Sequence, residues 1–389
     1  LTERLEETKG TDTCFFAFAD TVAAKSFRYT ADSHGWLGVR FQHEPMAEPS
    51  QIIIHVKMLD KANLQQQEAL GILGTNLIYN CFRSLSSRVQ FIRSLMDDLS
   101  KDRLSIDVIE VTGPAFGGED HRLWPLELVK RGYTDAVLFD EKGNVSQAKD
   151  TFYKKNILIS RGSYRPPTHV NMDMLLQGKS AFEKALKKED SDISKGEMIV
   201  LPEISMSKLK ERGEVVAEDF LARVDLISTL GLPCLITSYS TYGQLSHYLS
   251  ECTGYLIAFV MGYYNLKEVF DHESYADSCG PLLSAIGELL GKRGQLFVYP
   301  AAGKKEELLQ AKDAEVKDSV KPLIQYLENI GKLTNITDVN KEHFTIWSRT
   351  VLKMIQEDKS GWEDMVPASV AKLVKEKCLF DYPCRPSKS

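Results

Sequence analysis

The stretch Asn156–Leu176 (NILISRGSYRPPTHVNMDMLL) holds the densest set of residues that could do chemistry. An apolar run leads into Gly162-Ser163, then Pro166-Pro167-Thr168-His169, and a helical pattern starts near Asn171. Strand, glycine, proline pair and helix in that order make either a ligand loop or a plain strand-to-helix turn. A second candidate, Thr112–Arg122 (TGPAFGGEDHR), follows a predicted strand, and loops after parallel strands are where α/β proteins place ligands. Its Glu119, Asp120 and His121 would supply an acid/base pair or a metal site, or simply a polar surface turn. Glu203 follows the apolar run Met198–Leu201, and Ser238 follows Cys234–Thr237. Both are strand ends directed to the same expected edge, and neither forms a recognisable triad with His247. Gly178-Lys179-Ser180 is not a phosphate loop. Asp173 stands where the motif needs its first glycine, and the segment lies inside a helical pattern.

Positioning these residues falls to short apolar runs alternating with helical segments. The predicted strands are Ile52–Met58, Ile106–Val111, Ala136–Phe139, Ile157–Ser160, Met198–Leu201, Cys234–Ser238, Tyr255–Val260 and Gln295–Tyr299. Several are apolar without alternation, as parallel strands covered on both faces should be. Long helices are expected at Asn63–Phe82 and Ser87–Ser100. In Val215–Leu230, Val216, Phe220, Val224, Ile227 and Leu230 recur at spacings of three and four, until Gly231 and Pro233 stop the helix. After about residue 318 the pattern is all-helical, from Val320–Ile330 to Pro367–Lys377 with Trp362 at the join. The charged stretches Glu183–Glu197 and Gly303–Lys321 read as a helix end with its loop and a solvated insertion. The expected fold class is α/β: a doubly wound, mostly parallel sheet (151–318), a smaller N-terminal α/β region (1–150) and a C-terminal helical cap docked on the sheet (319–389).

The composition suits such a fold. The 389 residues are 43% hydrophobic and 26% charged, which excludes a disordered chain. A net charge of -6 gives no electrostatic reason to bind nucleic acid. No apolar run approaches the roughly 20 residues of a membrane-spanning helix. The seven cysteines (Cys14, Cys81, Cys234, Cys252, Cys279, Cys378, Cys384) include no C-x-x-C pair and are expected as reduced thiols. Tyr255, Tyr263, Tyr264, Tyr275 and Trp347 would serve an interface or a core equally well. The chain opens at Leu1, which fits a removed targeting segment or an incomplete sequence, and its start carries no signal-peptide pattern.

The loop resembles the first strand–loop–helix of nucleotidyltransferases such as nicotinate-nucleotide adenylyltransferase, approximately G-[SG]-F-x-P-x-[TH]-x-G-H. Gly162, Ser163, Tyr164, Pro166 and Thr168 match, His169 falls at a variable position, and Val170 and Asn171 replace the final Gly-His. In that family the glycine lets backbone approach phosphate, while imidazoles and the helix N-terminus stabilise phosphoryl charge. The resemblance implies a Rossmann-like fold and a degenerate nucleotide site of Gly162, Ser163, Thr168, His169 and Asn171. The family's second signature, approximately [ST]-x-T-x-x-R, has no match, since Arg349 lacks the register. Losing one transition-state donor costs about 2.7–4 kcal/mol, so transfer is not expected.

Over roughly residues 15–382 the chain also resembles an uncharacterised bacterial family labelled either nicotinate-nucleotide adenylyltransferase or TonB-dependent receptor. Ile53–Asn80, Val111–Arg122, Gly132–Val145, Asp219–Gly231 and Trp362–Tyr382 carry the likeness. Helices between short apolar strands do not suit the receptor label, which needs many alternating strands of about ten residues. A chain without an initiator Met, reduced and built on a degenerate enzyme-like loop, also resembles a recruited subunit of a mitochondrial assembly, such as the lineage-specific accessory subunits of protist mitochondrial ATP synthases. That likeness implies a non-catalytic subunit with protein partners, on the matrix side and peripheral to the inner membrane, without nucleic acid or cofactor. The alternative is a cytoplasmic adenylyltransferase-like enzyme using ATP with Mg.

Overall fold

The computed structural model describes residues 3, 4, 7, 12–23, 33–188, 192–211, 213–271, 282–291, 293–303 and 307–384. Tyr275 and Cys279 lie outside the described residues. The chain divides into two compact units, Leu1–Val137 with Asn144–Gln147 and Leu138–Gly143 with Ala148–Ser389.

Unit 1 is an antiparallel meander, β1 (Phe16–Ala23), β2 (His34–Phe41), β3 (Ser50–Met58) and β4 (Leu104–Thr112), hydrogen-bonded in that order. Alternation places Leu37, Val39 and Phe41 of β2 and Ile52, Ile54 and Val56 of β3 on one buried face. Helices α1 (Asn63–Arg83), α2 (Arg88–Leu95) and α3 (Leu123–Arg131) supply Leu73, Leu77, Phe91, Ile92 and Trp124 to the same core. The strands expected at Ile52–Met58 and Ile106–Val111 are therefore antiparallel, not part of a parallel sheet. Their partners β1 and β2 carry little sequence signal: all of β1 is exposed, and β2 contains Gly35 and Gly38, poor strand formers.

The larger sheet has within unit 2 the order β14-β11-β10-β7-β8-β9, and the chain passes between units at β5 (Ala136–Phe139) and β6 (Val145–Ser146). Within unit 2, β7 (Asn156–Arg161), β8 (Met198–Ser205), β9 (Cys234–Thr237), β10 (Ile257–Gly262), β11 (Gly294–Tyr299) and β14 (Leu333–Asn335) are all paired parallel. A short ribbon, β12 (Ala301–Ala302) with β13 (Leu308–Leu309), stands outside it. The chain runs outward from β7 through β8 to β9, then returns to the other side of β7 and runs outward again through β10, β11 and β14. The order thus reverses between β7 and β10.

The helices of unit 2 are α4 (Ala148–Phe152), α5 (His169–Leu186), α6 (Met206–Leu209), α7 (Ala217–Ser228), α8 (Tyr242–Cys252), α9 (Leu266–Phe270), α10 (Leu282–Leu290), α11 (Lys321–Asn329), α12 (Ser348–Gln356) and α13 (Ala368–Lys377). Both faces of the sheet are covered. Leu175, Phe182 and Leu186 of α5 pack on Leu158, Ala258, Val260 and Phe297. On the opposite face Tyr242 of α8 meets Phe259 edge-on, and Ser246 donates to Leu289 O of α10 at 2.7 Å. Gly178 lets α5 approach the sheet, because a Cβ there would lie 2.8 Å from Val260 Cγ2.

Three expectations need correction. The region after residue 318 is not all-helical, because β14 extends the sheet. Of the C-terminal helices, α12 and α13 pack Val351, Ile355 and Val370, with Trp362 between them, against Ala222 and Leu226 of α7, so these two dock on a helix rather than on the sheet. Cys378 and Cys384 are not reduced thiols: α13 ends at Cys378 with φ of 54°, and the turn that follows brings the two into a disulfide with Cα atoms 5.7 Å apart. Cys14, Cys81 and Cys234 are free thiols. Burial pushes the Cys81 thiol up to about 12 and raises that of Cys234 as well, so both stay protonated. Among the described residues, no helix is long and apolar enough to cross a membrane.

Candidate functional site

Beyond Arg161, the last residue of β7, the chain turns at Gly162-Ser163, and Tyr164 folds back beneath it with φ of 46°. The Tyr164 ring is buried, and its hydroxyl donates to Ser160 O at 3.0 Å. A Cβ on Gly162 would lie 3.0 Å from that ring, so packing against Tyr164 favours the glycine whether or not a ligand approaches. The Arg165–Pro166 peptide is cis, and Arg165 pairs with Asp219. Thr168 is the N-cap of α5. The Asn171 Oδ1 accepts from the Thr168 backbone N–H at 3.0 Å and from its hydroxyl at 2.9 Å. His169 stacks on His343 with centroids 5.4 Å apart. Burial and then the neighbouring imidazole hold its pKa below the usual histidine range.

Gly162, Ser163 and Asn171 form one wall of a 360 Å³ cleft at the carboxyl ends of β7, β10 and β11, where the strand order reverses. Opposite stand Gly262, Tyr263, Tyr264, Tyr299, Trp347 and Arg349, with Lys208, Glu211 and Glu268 at the margins. Trp347 and Tyr264 are 56% and 57% exposed, with ring centroids 5.9 Å apart. Lys208 Nζ donates to Glu211 Oε1 at 3.4 Å, and an Arg349 guanidinium nitrogen lies 3.7 Å from the same oxygen.

Glu203 lies behind Arg161, wholly buried at the β8 position that pairs with it. Arg161 grips it with two hydrogen bonds of 2.7 and 3.1 Å, Thr237 donates to it at 2.5 Å, and Arg161 also donates to Tyr239 O and Ser240 O. Burial opposes the guanidinium charge, but Glu203 outweighs it and holds the Arg161 pKa above its usual value. Both carboxylate oxygens are thus engaged by Arg161 and Thr237. Ser238 is exposed beyond β9 and does not line the cleft, and His247 pairs with Glu251 on the surface of α8.

In unit 1 the candidate trio separates. Glu119 pairs with Arg88 at 2.5 Å and Asp120 with Arg122 at 2.6 Å, which lowers the Asp120 pKa, while His121 is exposed. No group of three His, Cys, Asp or Glu side chains among the described residues is placed to hold a metal ion.

The sequence reading missed Arg161, Lys208 and Glu268 as cleft residues. Arg161 alone had a signal, as the charge between an apolar strand and a glycine. It also missed a polar cluster in unit 1. The register of β3 on β4 shifts at His55/Val56, leaving Asp107 as an extra residue on β4. The bulge aims Asp107 at His55 Nδ1, 2.5 Å away, and His55 Nε2 is 3.0 Å from His34 Nδ1.

No protein-family model matches this chain, and no curated protein matches it.

Proposed function

We propose that unit 2 is a Rossmann-like nucleotide-binding fold that holds a nucleotide-type ligand without transferring its phosphate, in a protein that serves as a non-catalytic accessory subunit. One observation carries the reading. The cleft opens where the strand order reverses, with Gly162 and Ser163 on its wall, while the Asn171 side-chain carbonyl is occupied in capping α5. Ligands of open α/β sheets sit in the crevice outside the carboxyl ends of the strands at such a reversal. Phosphoryl transfer needs donors aimed in advance at the developing charge, and the cations on the cleft wall are held by carboxylates instead, Arg161 by Glu203 and Lys208 and Arg349 by Glu211. The test is calorimetry of the full chain with adenosine, AMP and ATP at millimolar concentration, beside a pyrophosphate-release assay with ATP and nicotinate mononucleotide. Binding without pyrophosphate release is the expected result. No binding heat ends the ligand reading, and sustained release ends the non-catalytic one.

The accessory role is supported by β1, which pairs with β2 alone among the described strands and exposes Phe16, Phe18 and Val22. An exposed edge strand is a template for pairing with another chain. A mitochondrial assembly such as an ATP synthase, on the matrix side, is the proposed setting, with a cytoplasmic location as the alternative. Native electrophoresis of source membranes checks it: the chain migrates with a large complex, and migration as a free monomer contradicts the proposal.

A further inference from the structure

We infer that the cleft is selective for a nucleoside bearing at most one phosphate, its base stacked on Trp347 and Tyr264, and that it disfavours a triphosphate. The inference rests on the nucleotide-binding reading and adds the ligand class.

The first ground is aromatic. Trp124 and Trp362 are buried, at 3% and 1% exposure, whereas Trp347 is 56% exposed. It sits beside Tyr264, also 57% exposed, and both rings line one recess whose wall continues into Tyr263 and Tyr299. Two large rings left in water beside each other lose unfavourable hydration when a third flat ring covers them, and every base offers such a π-face.

The second ground is charge. The cations on the wall are Arg161, Lys208 and Arg349, and the carboxylates are Glu211 and Glu268, with Glu203 directly behind Arg161. Three positive charges therefore face three negative ones. Arg161 is committed to Glu203, and Lys208 and Arg349 share Glu211. A triphosphate would enter a field with no excess of positive charge. A single phosphate can recruit Arg349, whose side chain is 90% exposed, and an uncharged nucleoside needs no recruitment. Asn265 and Glu268 on the same wall offer acceptors for ribose hydroxyls.

The experiment titrates the full chain with adenosine, AMP and ATP, following tryptophan fluorescence and calorimetry, with Trp347→Phe identifying the reporting ring. The expected order is adenosine or AMP at least tenfold tighter than ATP. Trp347→Ala should weaken AMP about tenfold while leaving the melting temperature unchanged, as suits an exposed side chain. Tighter binding of ATP than of AMP, or unchanged affinity in both Trp347→Ala and Tyr264→Ala, overturns this inference alone. Failure of all three ligands to bind overturns it together with the nucleotide-binding reading.

Discussion

Arg161 and Glu203 face each other across adjacent parallel strands, with side-chain exposures of 8% and 0%. A buried pair is weak evidence of net stability, because desolvation of two charges offsets their attraction. Breaking it is another matter, since Arg161 is left charged with its side chain only 8% exposed. Glu203→Gln should cost about 3–5 kcal/mol in denaturant unfolding. The double change Arg161→Met with Glu203→Leu should cost clearly less than the two single changes summed. A loss under about 1 kcal/mol for Glu203→Gln would mean the pair is solvated. His169 gives a pH test. Its pKa is depressed in the folded state, by burial and by His343, so the folded chain binds fewer protons there than the unfolded chain. Its contribution is complete above the unfolded value, about 6.5, and is lost as pH falls toward the lower folded value. His169→Gln should flatten the acid-side slope of stability below that pH, and an unchanged slope would rule this out.

At the scale of elements, α5 is held to β10 by a missing side chain. Gly178 sits mid-helix, where alanine would gain about 1 kcal/mol of helix propensity. Yet the new Cβ would lie 2.8 Å from Val260 Cγ2, on a β-branched residue whose χ1 is stiff and whose strand is central. Overpacking costs about 1–3 kcal/mol, so Gly178→Ala should be net destabilising and lower the melting temperature by a few degrees. A rise would mean that the helix moves away at little cost. The Lys179-Ser180 that follow are helix surface and helix body, as the sequence spacing predicts. The central parallel strands were legible for a related reason: β7, β9, β10 and β11 are covered on both faces, so each reads as an unbroken apolar run. β2 was not legible, because only half its residues face a core and two are glycines. The Gly162 loop was legible as strand, turn and helix. The opposite wall was not, since Trp347 and Arg349 reach it only after the chain has added β10, β11 and β14, and no local spacing records that return.

For the molecule as a whole, the division into two units lets stability and the proposed ligand binding be tested apart. Unit 1 has its own apolar core of β2–β4 with α1 and α2, and every residue lining the cleft belongs to unit 2. Leu73 is fully buried in the unit 1 core. Truncating such a leucine removes its transfer free energy and leaves a cavity, at a cost of about 2–5 kcal/mol. If the cleft is the ligand site, Leu73→Ala should lower the unfolding free energy of unit 1 by that amount. The affinity for AMP should stay within about twofold of the parent chain under conditions where both remain folded. Trp347→Ala should do the reverse, weakening AMP while the unfolding curve stays in place. The two variants form a crossed pair, read by denaturant titration and by calorimetry on the same samples. Affinity that falls with Leu73→Ala would move the ligand site, or part of it, out of unit 2, and with it the reading of the strand-order reversal as the place of binding.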